Sequence, residues 1–94
     1  MTRRRPFQAV RQYPAGEAIR VRADGAGRPL AFVWNGRPHR VQSVEEVREP
    51  RLDWWSSAGE VHRVYYLVTT DRGPICEIFH DVPSGRWFVA RVYD

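Results

Sequence analysis

From Glu17 onward the chain is written in short runs of alternating apolar and polar residues, each cut off by glycine, proline or asparagine. That texture constrains the fold more than any other feature. Period-two alternation puts the apolar side chains of a strand on one face, and the interruptions supply turns between antiparallel neighbours. Ala18–Ala23 sets Ile19 and Val21 against Arg20 and Arg22. Asp24-Gly25-Ala26-Gly27 then turns the chain into a second strand, Pro29–Trp34. Asn35-Gly36, both tolerant of positive φ, is the strongest hairpin signal, and Arg37–Glu49 is the returning partner.

In that partner Val41, Val44 and Val47 lie three apart, a spacing that also fits a helix face. The β-branched residues and a bulge near Ser43–Val44 favour a strand. Pro50–Glu60 reads as a loop and Val61–Thr70 as a long strand. Ile75–Asp81 and Arg86–Tyr93 complete the set, with turns at Asp71–Pro74 and Pro83–Gly85. Such a meander must curl to cover its apolar face. The expected fold is all-β: a single small antiparallel curled sheet, or a partly open SH3-like barrel of about six strands.

Ninety-four residues make one domain. Residues 1–16 mix arginine, proline and glutamine without a period and read as a flexible basic N-terminal tail; residues 17–94 form the β domain. The net charge of +4 belongs to the first twelve residues, which carry Arg3, Arg4, Arg5 and Arg11 and no acid. Residues 13–94 balance eleven arginines against eleven carboxylates. All fifteen basic residues are arginine, which GC-rich codon usage explains without special chemistry. One cysteine, Cys76, excludes an internal disulfide and suits a reducing compartment. No apolar run follows the N-terminal arginines and none is long enough to span a bilayer, so the expected location is the cytoplasm.

Catalytic constellations are sparse. His39, His62, His80 and Cys76 are the soft metal-ligand candidates. Cys76 and His80 share a strand face, but they are about 13 Å apart along it, too far for one zinc. No serine sits in a nucleophile elbow, and the glycines at 25 and 27 lack the lysine of a phosphate-binding loop. The expectation is no enzyme, no cofactor and no metal.

Trp54-Trp55, in an otherwise polar loop, is the remaining candidate. With Arg51, Arg37 and Arg40 the pair suits a hot spot for a protein partner. It equally suits base stacking on single-stranded nucleic acid, with Arg3, Arg4 and Arg5 holding phosphate. A third role is to plug the open end of the barrel. The acids Glu45, Glu46, Glu49, Asp53 and Glu60 repel phosphate and turn the reading toward a protein partner.

Phe32-Val33-Trp34-Asn35-Gly36-Arg37, Trp54-Trp55, Arg63-Val64-Tyr65-Tyr66, Cys76-Glu77-Ile78-Phe79 and Gly85-Arg86-Trp87-Phe88…Tyr93-Asp94 together resemble a family of small actinobacterial-type proteins of unknown function. The resemblance covers residues 17–94 and carries no catalytic residues. The tryptophan pair and the ending Trp87…Tyr93-Asp94 are also similar to the C-terminal segment of inactive Y-family polymerase homologues of mutagenesis cassettes, the ImuB type. That similarity implies an adaptor linked to DNA repair or replication machinery. The expected function is therefore a non-catalytic binding module, a protein–protein adaptor or alternatively a single-stranded nucleic-acid binder.

Overall fold

The structure, a computed structural model, describes residues 10–50 and 62–93. These residues form strands and turns with no helix. The strands are β1 (Val10–Ala23), β2 (Pro29–Trp34), β3 (Arg37–Arg48), β4 (Arg63–Thr70), β5 (Ile75–Asp81) and β6 (Arg86–Tyr93). Each pairs antiparallel with the next, and β1 pairs with β6, closing a small barrel.

β1 and β3 are the longest strands because each serves two neighbours. In β1, Val10–Ile19 lies along β6 and Arg20–Ala23 along β2. In β3, Arg37–Arg40 lies along β2 and Val41–Arg48 along β4. Bends in these two strands let one continuous ladder fold over itself. Sharp bending needs bulges, and both strands have them.

The first strand starts at Val10, not at Ala18 as alternation predicts. Residues 10–16, expected in the tail, belong to β1, and Val10–Gln12 pair with Tyr93–Arg91. The register slips between Gln12 and Glu17, across Pro14 and Gly16. Gly16 holds φ at +82°, and a Cβ there would lie 2.9 Å from the Phe88 Cβ and 3.0 Å from the Phe79 ring. The bend therefore requires glycine for both its dihedral and its clearance.

β3 carries two register shifts where the spacing predicts one, after Val41 and after Val44. The extra residues bring Val41 and Val44, three apart, to the same side, where both pack against the core. Val47 ends up 55% exposed. The expected turn at Asn35-Gly36 has φ of 56° and 71°, the double left-handed conformation of a two-residue hairpin.

The core fills the barrel with Phe32, Trp34, Val68, Cys76, Ile78, Trp87, Val89 and Val92. Tyr66 tilts against Trp87 at 5.6 Å between ring centres, and His80, opposite Trp87 on β5, stacks on it at 4.6 Å. A second apolar layer lies on the outer side of β4, β5 and β6. There Tyr65, Phe79 and Phe88 align across the three strands, with ring centres 5.0 and 5.1 Å apart. Arg48, Arg63 and Arg86 lie over these rings at 4.6, 4.7 and 5.6 Å, so the layer is capped by guanidinium planes.

Candidate functional site

The arginines divide into committed and uncommitted groups. Arg48 pairs with Glu77 at 2.7 Å, Arg72 donates from Nε to the Pro38 carbonyl at 2.7 Å, and Arg63 and Arg86 cap aromatic rings. Arg20, Arg22, Arg28, Arg37 and Arg40 are exposed and have no side-chain hydrogen bond or ion pair among the described residues. Three of these five converge.

The convergence follows from register. Arg20 opposes Val33, which opposes Pro38; Arg22 opposes Ala31, which opposes Arg40. Residues directly across antiparallel strands project to the same side. Since Phe32 and His39 point inward between these rows, both rows point outward. The outer face of β1, β2 and β3 is thus Arg20, Val33, Pro38 and Arg22, Ala31, Arg40. Arg20 and Arg22 are about 7 Å apart along β1, and Arg22 and Arg40 flank Ala31 across roughly 10 Å.

None of the six positions is a carboxylate. Asp71 lies beside the face, and its Oδ1 accepts from the Arg40 backbone N–H at 2.9 Å. Glu45, Glu46 and Glu49 follow the first bulge in β3, where the strand has left β2 for β4. The bend separates the acidic half of β3 from the basic half. Three unpaired guanidiniums over a low floor of valine, alanine and proline make a cationic strip open to an extended anion.

Arg37 and Arg40, expected together on one partner surface, lie on opposite faces of β3. Arg40 is on the outer strip, whereas Arg37 shares the inward phase of His39 and opposes Trp34 at the barrel mouth. Arg51, Trp54, Trp55 and the arginines at 3, 4 and 5 lie outside the described residues. Arg20 and Arg22 join the face without a sequence motif to mark them. Their alternation with Ile19 and Val21 marks a wet face, but only the strand register links them to Arg40.

An open groove of about 610 Å³ crosses β1 near Ile19, floored by Ile19, Trp34 and Trp87 and rimmed by Glu17, Arg20 and Arg86. Trp34 Nε1 donates to Glu17 Oε1 at 3.3 Å, which orients the indole in this groove. Of the soft-ligand candidates, Cys76 is fully buried in the core and His80 is stacked on Trp87. His62 meets Glu49 through Nε2. Among the described residues no three histidine, cysteine or carboxylate groups gather around a common point. No helix of the described residues is long and apolar enough to cross a membrane.

A family model described as a domain of unknown function (DUF6504) matches residues 8–94, and the chain belongs to that family. No curated protein and no solved structure matches it.

Proposed function

We propose, for this member of the family, a non-catalytic binding module that holds single-stranded nucleic acid along the outer face of β1, β2 and β3. One observation carries the reading: Arg20, Arg22 and Arg40 share a face whose six positions hold three guanidiniums and no carboxylate. Contacts to phosphate supply affinity without reading sequence, which suits a strip of guanidiniums over small side chains. Trp54 and Trp55 would add base stacking, as their residue type allows.

A protein adaptor is the second reading, and a different observation favours it. The later half of β3 presents Val47, 55% exposed, among Glu45, Glu46 and Glu49, a mixed apolar and acidic strip suited to a basic partner. A link to DNA repair or replication rests on the ImuB-type resemblance. A cytoplasmic location rests on the single cysteine and the sequence around the N-terminal arginines.

The test is a fluorescence-anisotropy titration of a short single-stranded DNA at low and high salt. The expected outcome is binding whose logarithm falls with log salt at a slope of about −0.7 per phosphate contact, hence about −2 from the strip. Changing Arg20, Arg22 and Arg40 together to glutamine removes that share of the slope. Changing Arg3, Arg4 and Arg5 to glutamine measures the tail separately. Absence of binding at low salt, or binding untouched by the first triple variant, rejects the reading.

A further inference from the structure

At the mouth of the barrel His39 is 4% exposed, and neither ring nitrogen has a hydrogen-bond partner among the described residues. The ring stacks on Phe32, with centres 5.1 Å apart and planes 9° apart, and leans on Trp34 at 6.1 Å. Its faces are satisfied and its edge is not. An unsatisfied buried polar atom costs about 1–3 kcal/mol, so a native fold rarely keeps two on one side chain without a use.

The imidazole lines a cavity of about 420 Å³ with Trp34, Asn35, Arg37, Arg72 and Pro74. Every ionisable group in that lining is basic. Arg72 is held in place by its Nε bond to the Pro38 carbonyl, which leaves its terminal N–H groups uncommitted. Arg37 is exposed with no partner among the described residues. Two guanidiniums and an unpartnered imidazole therefore surround one small space walled by an indole.

We propose that this cavity binds a phosphate monoester. Arg37 and Arg72 hold the phosphoryl oxygens with charge-assisted hydrogen bonds, and His39 contributes an N–H from the inner wall. Near neutral pH a phosphate monoester carries close to two negative charges, matching the two fixed guanidinium charges. A neutral imidazole offers one donor and one acceptor, so full engagement of the anion draws a second proton onto His39. Four groups face this ring besides its aromatic neighbours. Arg72 and Arg37 oppose its protonation, while Asp71 and the Trp34 carbonyl, the latter short of hydrogen-bond geometry, favour it. A bound dianion reverses the balance. The proposal goes beyond the strand-binding reading and does not need it, because the cavity and the outer strip use different arginines.

The experiment is a proton NMR titration of the His39 ring in the full chain, with inorganic phosphate and with adenosine monophosphate as probes. Saturation with either is expected to raise the His39 pKa by about one unit or more, the usual effect of an adjacent opposite charge. Arg72→Gln and Arg37→Gln are each expected to weaken both ligands at least tenfold. His39→Phe, which keeps the stack on Phe32, is expected to weaken them and to abolish the proton uptake measured by calorimetry in two buffers. No response to either probe overturns the proposal. So does a response unchanged by both arginine variants, or one seen with inorganic phosphate but not with the monoester. A domain that binds adenosine monophosphate but no oligonucleotide would keep this site and reject the strand-binding reading alone.

Discussion

Gly16 and His39 show how single residues set conditions for the whole domain. Alanine at Gly16 must accept φ near +82° and push its methyl against Phe88 and Phe79. The dihedral costs about 1–2 kcal/mol and the overpacking about 1–3 kcal/mol, so Gly16→Ala is expected to lose roughly 2–5 kcal/mol in urea unfolding. Gly73 holds φ at +108° with open space around it, so Gly73→Ala should lose only the dihedral share. His39 makes a pH prediction. Burial, then the charge of Arg72, hold its pKa below the ordinary 6.5. The unfolded chain thus takes up a proton more readily than the folded one. Stability from this residue is present above pH 6.5 and declines as pH falls through that value toward the lower folded pKa. In His39→Phe the decline attributable to this ring should vanish in thermal melts between about pH 5 and 8, with stability retained at pH 8 because no orphaned nitrogens remain.

Among the elements, the β2–β3 hairpin fixes most of what the candidate surface needs. Its two-residue turn sets Trp34 against Arg37, and that register alone carries Arg40 beside Ala31 and His39 beside Phe32. Asn35→Val forces a β-branched residue to φ near 56°, at a cost of about 1–2 kcal/mol. Asn35→Gly should be nearly neutral in the same melts. The bounds of β2, β5 and β6 were legible because alternation and turn residues agree there. The start of β1 was not, since Pro14 and Gly16 break the alternation and only β6 as a partner keeps the chain extended. Nothing in the run Arg37-Pro38-His39-Arg40 marks its histidine as buried; the register against Phe32 does that. Likewise the acids of β3 sit close to its arginines in sequence. The bulges after Val41 and Val44 send them along a different neighbour, β4, so they leave the stretch of β3 that lies beside β2.

At the scale of the molecule, the ring closes by joining the first strand to the last. The pairs Val10–Tyr93 and Ile19–Trp87 span nearly the whole chain, whereas β2–β3, β4–β5 and β5–β6 are neighbouring hairpins. Closing a long loop costs conformational entropy before its contacts repay it. The hairpins should therefore be formed in the folding transition state, and the β1–β6 seam should dock after it. Two variants separate these phases in stopped-flow chevrons. Ile78→Val, in β5 at a fully buried core position between Tyr66 of β4 and Val89 of β6, removes packing within the hairpins and should slow folding. Gly16→Ala strains the contacts that β1 makes with Phe88 and Phe79 of the β5–β6 hairpin, and should accelerate unfolding while leaving the folding limb nearly unchanged. A seam variant that slows folding as much as Ile78→Val would mean that closure nucleates the barrel. In that case the long bent β1, the strand that supplies Arg20 and Arg22, is organised from the first step and not added last.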